Sequence, residues 1–414
     1  MIITTLADND LYKFTMLQYH WKHLRGTVST WAVTNRSKGI KLADLVDIEH
    51  LSLEINSLYD LRFTPAEIAY IGSQGNFDKD FLKWLKTFNF DKVSFAIVPS
   101  KTEEGQYEIT FTGPIEQTTL WEIYVLAIIN EMASVDPDPS KEDDDQEVAA
   151  FILHQKLQRL QENKVVFADM GTRRRHSFAW QDRAIRMAVD YGVIVGTSNV
   201  YFAMKYNLKA VGTNAHELPM AQAALAETDE DLKHSPYKVT ELWGEMYPDR
   251  RTILPDTYGT SQFLKDAPEY LLDWPSIRPD SKDAYVAGEE LIKWWLENDR
   301  NPQEKTVIFA DGLDVDVSDN NDTYVLNGTD MVELRDYFAE RVNLGFGWGT
   351  NFTNDFRAAG KKAMSIVCKL KTVNGRSAVK LSDNYLKAIG QPSEIDRYRR
   401  VFGTEGQTNI PVKV

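Results

Sequence analysis

Three pieces of this sequence place Gly-Thr and a cluster of polar residues just after a short apolar run: Gly171-Thr-Arg-Arg-Arg175, Gly196-Thr-Ser-Asn199 and Gly212-Thr-Asn-Ala-His-Glu217. His216 is the reactive side chain of the set. Arg173, Arg174 and Arg175 are suited to phosphate, which guanidinium groups grip through paired hydrogen bonds. The pattern continues with Asp256, with Arg278 and Asp280, with Asp311 and Asp314, and with the turn Gly345-Phe-Gly-Trp-Gly-Thr350. Glycine turns offer backbone N–H groups to phosphate, and carboxylates hold ribose hydroxyls or a Mg²⁺ shared with pyrophosphate. Cations, carboxylates, small hydroxyls, glycines and one histidine together suit a phosphorylated sugar. Each piece alone is weak. A single aspartate at a strand end is usually structural, three arginines also make a solvated turn, and a lone histidine is more often satisfied than reactive. The coincidence of seven polar strand ends carries the signal.

These residues converge only if the apolar runs are parallel strands whose C-terminal ends face one side. Eight such runs are found, at 165–169, 193–195, 210–211, 252–256, 276–280, 307–311, 342–344 and 365–370, most separated by helix-compatible stretches. Eight parallel strands predict a (β/α) barrel, with an open doubly wound sheet as the alternative. The region before them reads differently. A helix is expected over residues 8–24, with Leu11, Phe14 and Leu17 on one face and Asp8 or Asn9 as its cap; His20 and His23 read as surface histidines. A strand follows at Val28–Arg36, then mostly helical stretches at 42–61 and 65–85. Val93–Val98 and Tyr107–Phe111 form an expected hairpin, and Ile115–Ala133 is a helix too apolar to be exposed.

The acidic, proline-broken stretch Val135–Asp145 reads as a solvated loop and a boundary, with a helix from Gln146 to Asn163 beyond it. Asn374-Gly375 signals a late hairpin. The expected division is an N-terminal α+β domain over 1–145, a barrel domain over 146–370, and a C-terminal hairpin and helical segment over 371–414. That last segment is expected to pack on the first domain or on a dimer partner.

Composition bounds the function. The 414 residues are 43% hydrophobic and 26% charged, ordinary for a globular protein. The net charge of −14 argues against nucleic acid or an anionic membrane as partner, yet allows a local arginine cluster for a small anion. The single cysteine, Cys368, excludes an internal disulfide and a multi-cysteine metal site, and reads as a buried strand residue. No apolar run is long enough to span a membrane and the N-terminus is not signal-like, so a cytoplasmic location is expected. There is no Walker A motif, and the glycine turn at 345–349 brings its third glycine one residue too early for a dinucleotide fingerprint.

Taken together, Asp10-x-Tyr-Lys-x-Thr-Met16, Gly171-Thr-Arg-Arg-Arg175, Gly196-Thr-Ser-Asn199, Gly212-Thr-Asn-Ala-His-Glu217, Arg278-x-Asp-Ser281, Asp311-x-Leu-Asp314, Gly345-x-Gly-x-Gly-Thr-Asn351 and Lys380-Leu-Ser-Asp383 resemble the nicotinate phosphoribosyltransferase family, in order and over nearly the whole chain. The resemblance implies a two-domain enzyme with an irregular (β/α) barrel, working as a homodimer with shared active sites. It implies transfer of phosphoribosyl from phosphoribosyl pyrophosphate to nicotinate in NAD salvage, coupled to ATP and using Mg²⁺. His216 matches the histidine that ATP phosphorylates. Tyr12 matches a ring-stacking tyrosine reaching the neighbouring subunit's site. Thr213 and Arg278 match nicotinate-binding positions, and Thr350 a sugar-phosphate contact. Arg173, Arg174 and Asp280 complete the expected catalytic set, and Ser198, Asn199, Asp311, Gly347 and Gly349 the expected substrate contacts.

Two positions depart from the family pattern. Lys282 stands where a glycine is usual, removing conformational freedom or adding a phosphate cation, and Leu218 stands where an aromatic residue is common. Two further functions are compatible with the sequence. One is a related enzyme acting on nicotinamide or quinolinate; the other is a non-catalytic phosphoribosyl- or nucleotide-binding regulator.

Overall fold

The computed structural model describes residues 1–37, 39–318 and 324–408, so the last residues of the expected 371–414 segment lie outside it. Two sheets organise the chain. The first is antiparallel, with β1 (Val28–Asn35), β2 (Ser94–Pro99) and β3 (Tyr107–Pro114). The expected hairpin forms, Ile97 pairing with Ile109, and Trp31 of β1 faces Phe111 across the ladder. The helix Ile115–Ser134 packs on this sheet with every residue from Ile115 to Asn130 buried, as its composition demands. The helix Leu11–His23 lies against it.

The second sheet is parallel. It comprises β4 (Phe167–Asp169), β5 (Ile194–Thr197), β6 (Thr252–Ile253), β7 (Ser276–Ile277), β8 (Thr306–Phe309) and, after the short pair β9 (Leu313–Asp314) and β10 (Thr329–Asp330), β11 (Asn343–Trp348). The order is β5-β4-β11-β8-β7-β6, and one bridge between Thr197 and Ala210 extends it beyond β5. Helices at 178–190, 200–206, 260–265 and 284–297 follow β4, β5, β6 and β7, so the strand–helix alternation holds. Hydrogen bonding among the described residues leaves Ala210 and β6 as edges and does not itself draw a closed ring.

The eighth apolar run does not join this sheet. It becomes β12 (Ile366–Val373), which pairs antiparallel with β1 and then with β13 (Arg376–Ser377). The reason is visible in its side chains. Ile366, Cys368 and Leu370 are buried, Val367 and Lys369 between them are only partly so and Lys371 is exposed, an alternation suited to a strand covered on one face rather than to a parallel strand covered on both. Cys368 is buried, as expected. The Asn374-Gly375 turn forms with φ of 49° and 77°, the left-handed pair that closes a tight hairpin.

Three further expectations are corrected. The acidic stretch is largely helical: Pro139–Glu162 is one helix, with Asp138 accepting from Ser140 N and proline in its first turn. Proline without a donor and acidic side chains are both favourable at a helix N-terminus, so the residues that read as solvated loop begin the helix. Glu142 binds His176 at 2.7 Å and Asp145 binds Lys361 at 2.7 Å, which fasten that end. The cap of the first helix is Asp10, not Asp8 or Asn9, and His20 is fully buried rather than on the surface, because Glu217 reaches it at 2.8 Å.

The chain end returns to both parts. The β12–β13 hairpin completes the first sheet, whereas the helix Pro392–Phe402 stacks Phe402 on Tyr258 at 4.2 Å and packs Tyr398 beside it. Among the described residues no helix is long and apolar enough to cross a membrane.

Candidate active site

The N-terminal segment and the ends of β4 and β5 are sewn together first. Leu11 N donates to Ser198 O at 2.7 Å and Val200 N to Asn9 O at 2.9 Å. Ser198 Oγ donates to Asp10 at 2.7 Å. Asn199 caps the helix Val200–Tyr206 by accepting from Phe202 N, and donates to Asp8 at 2.7 Å. Asp8 also takes both Arg175 guanidinium nitrogens at 2.8 Å each, with Arg175 fully buried. Asp169 accepts from Thr197 Oγ1 (2.7 Å), Gly171 N (2.9 Å) and Gln181 (3.0 Å), and burial pushes its carboxyl up to about 6. Ser198, Asn199 and Arg175 therefore use their polar atoms within the framework that aims the loops above them.

Onto this framework comes the loop after Ala210. Gly212 has φ 153°, and a Cβ there would stand 3.1 Å from the Tyr12 Cβ and 3.2 Å from Tyr12 N. Only glycine lets the loop approach Tyr12 so closely. Tyr12 thus packs against a site loop of its own chain. The docking of residues 9–11 on residues 198–200 is what brings it there. Arg278, at the end of β7, bonds Thr213 Oγ1 with one guanidinium nitrogen and Asn214 O with the other at 2.9 Å. Thr213 and Arg278, singled out for one substrate, are therefore neighbours.

His216 stands at the N-terminal end of the helix Glu217–Ala224, with its side chain 16% exposed. Nδ1 lies 2.9 Å from Thr257 Oγ1. Nε2 lies 3.0 Å from Asp280 Oδ2 and 2.8 Å from Lys380 Nζ, with Asp256 at 3.7 Å. Asp280 needs a proton on Nε2 and Lys380 needs a lone pair there, so one neutral imidazole satisfies only one of them at a time. Loss of water raises the Asp280 carboxyl, but the His216 bond and the charges of His216, Arg278 and Lys380 outweigh it and hold the carboxyl well below the usual range. Asp280 is an anion beside the imidazole.

Behind His216, Glu217 is buried and takes Lys13 Nζ at 2.6 Å, His20 at 2.8 Å and the Thr119 hydroxyl. Burial alone would raise its carboxyl; Lys13 and His20 overcome this and hold it at about 2. Lys13 reaches Glu122 at 2.6 Å, and Glu122 lies 3.6 Å from Arg173.

Positive charge gathers beside the site despite the acidic whole. The Arg173 side chain is 47% exposed. Burial, Arg173 and Arg36 push Arg174 down to about 10. Burial, Arg36, Lys371 and Lys380 push Lys369 down to about 8. Cations that depress one another are stabilised by an incoming polyanion. Asp311 is half-exposed near Lys387, Gly347 pairs with Ala168 across the sheet, and Gly349 precedes Thr350, which opens the short helix Thr350–Thr353. His216, Asp256 and Asp280 offer atoms within 4.8 Å of one another. Asp256 Oδ1 is buried without a hydrogen-bond partner among the described residues. The two carboxylates fit Mg²⁺, a hard cation that takes oxygen donors; the imidazole fits it less well.

Sequence reasoning gave no role to Thr257, Lys380, or the Lys13–Glu217–His20 cluster. Lys380 was present in the Lys380-Leu-Ser-Asp383 motif, and Lys13 in the motif around Tyr12, so spacing marked both without revealing their partners.

Residues 165–406 match the model of the nicotinate phosphoribosyltransferase family, and residues 7–130 match that family's N-terminal domain. Nicotinate phosphoribosyltransferase from Vibrio cholerae is a similar solved structure, at 28% identity and a TM-score of 0.82, covering 98% of this chain and 95% of that one. The enzyme from Porphyromonas gingivalis is similar at 27% identity and a TM-score of 0.82, covering 97% of this chain and 100% of that one. With both parts of the chain matched and the histidine, arginine and carboxylate groups assembled at the strand ends, this protein belongs to the nicotinate phosphoribosyltransferase family.

Proposed function

We propose that this chain transfers the phosphoribosyl group of phosphoribosyl pyrophosphate to nicotinate, giving nicotinate mononucleotide and pyrophosphate, and couples this to ATP through phosphorylation of His216. The observation that carries it is the setting of His216. It is a partly accessible imidazole at a helix N-terminus, held by Thr257 and Asp280 beside Lys380. When Asp280 accepts the Nε2 proton, the lone pair falls on Nδ1, beside a neutral hydroxyl rather than two carboxylates. That nitrogen is the better acceptor for a phosphoryl group. The γ-phosphoryl leaves ATP for the imidazole, ADP departs, and water later releases phosphate. The positive end of the helix favours the added charge.

In the transfer itself, the pyridine nitrogen of nicotinate attacks C1 of the ribose as the bond to pyrophosphate breaks. Arg278 faces the pyridine carboxylate and favours the acid over the amide, which lacks the charge. Tyr12 supplies a ring beside it. Arg173, Arg174 and Lys380 stabilise the negative charge that builds on the leaving pyrophosphate. Mg²⁺ at Asp256 and Asp280 would add neutralising charge on the phosphates. The working state is read as a cytoplasmic homodimer.

The deciding experiment is product formation from nicotinate, nicotinamide and quinolinate with phosphoribosyl pyrophosphate, each with and without ATP. The expected result is nicotinate mononucleotide, increased by ATP. A preference for the amide or for quinolinate, or ligand binding without turnover, overturns the proposal.

A further inference from the structure

Lysine at position 282, where the resembled pattern has glycine, has two roles open to it: a cation for substrate phosphate, or an internal tie. Its side chain is only 8% exposed. Nζ bonds Glu290 on the helix Ala284–Glu297 and lies 2.9 Å from Ser261 Oγ on the helix Thr260–Lys265. Ser261 in turn donates to Glu290, closing a triangle. Asp383 stands 4.0 Å from the ammonium, beyond hydrogen-bond reach. A phosphate ligand would have to abandon these partners.

The turn 403–408 lies over the triangle. At Gly406, with φ 72°, a Cβ would collide with Ser261 Oγ and stand 3.6 Å from Lys282 Nζ. The turn is held by Thr408 N on Asp383 O (2.8 Å), Glu405 on Lys265 (2.8 Å) and Gln407 on Tyr258 O (3.4 Å). On the other side of Lys282, Ser281 Oγ donates to Asp256 at 2.8 Å and Asp280 meets His216 at 3.0 Å.

We propose that Lys282 is a positioning residue: fastened to Ser261 and Glu290, it fixes the segment 278–283 beneath the turn 403–408 and thereby holds Asp280 against His216. Its effect on turnover rests on the function proposed above; its effect on chain mobility does not. The test compares Lys282→Met, Lys282→Gly and Glu290→Gln in the full chain by hydrogen exchange and steady-state kinetics. Faster exchange is expected in both 278–283 and 403–408 for every variant. The double variant Lys282→Met/Glu290→Gln should be no worse than the single ones, because the residues act as a unit. We expect kcat to fall about fivefold, with KM for phosphoribosyl pyrophosphate changed by less than about twofold. The glycine variant keeps the test open if methionine disturbs folding. Unchanged exchange overturns the tie. So does a KM rise of about tenfold in Lys282→Met that Glu290→Gln does not share, which would make Lys282 a phosphate ligand. If the unmodified chain makes no nicotinate mononucleotide, the functional proposal fails while the exchange data still decide this one.

Discussion

Glu217 Oε2 and Lys13 Nζ meet at 2.6 Å, 204 residues apart in the chain, and tie the helix that begins beside His216 to the helix that carries Tyr12. The pair is buried, so each charge depends on the other. Removing one partner breaks a buried ion pair, a change that typically costs about 3–5 kcal/mol, although Glu122 still faces Lys13 and His20 still faces Glu217.

That pair sets a pH dependence. The Glu217 carboxyl is held at about 2 against an ordinary 4.5, so its contribution is fully present above about pH 4.5 and is lost as pH falls toward 2. Glu217→Gln should lower unfolding free energy by roughly 3 kcal/mol at pH 7. The gap between variant and parent should close as urea titrations move from pH 5 to pH 2.5. A gap independent of pH over that range contradicts the ionised pairing.

His216→Ala should abolish acid-labile phosphorylation from labelled ATP and separate ATP hydrolysis from synthesis, while leaving some ATP-independent transfer. Retention of normal ATP coupling would identify a different phosphoryl acceptor.

Arg278 bonds Thr213 and Asn214 with two different nitrogens, a fork that lysine cannot reproduce. Arg278→Lys should raise the nicotinate KM by about tenfold or more and narrow the preference for nicotinate over nicotinamide. The comparison of kcat/KM for the two substrates measures it, and an unchanged ratio removes Arg278 from substrate recognition.

The adjacent arginines should separate cleanly. Arg175, buried on Asp8, is structural: Arg175→Lys should lower thermal stability with little change in activity per folded molecule. Arg173 has a half-exposed side chain, so Arg173→Lys should leave the melting temperature within a few degrees, at most about 1 kcal/mol, and lower kcat/KM. Paired melting curves and kinetics check both, and the opposite pattern would exchange their roles.

The sequence by itself determined a good deal. Apolar runs alternating with helical stretches marked the parallel strands, and Gly-Thr at their ends marked the loops, because strand direction puts those ends on one side. The hairpins and the buried helix Ile115–Ser134 were legible for the same local reasons. Tertiary structure alone decided which polar residues spend their bonds inside. Ser198, Asn199 and Arg175 look like ligands in sequence, yet the N-terminal segment brings Asp8 and Asp10 onto them. His20 reads as a surface residue until Glu217 arrives from far along the chain. The run at 365–370 has the length of another parallel strand, but β1 offers it an antiparallel partner with one covered face. Long-range pairing fixes such outcomes, because burial and hydrogen-bond satisfaction depend on partners that local spacing does not specify.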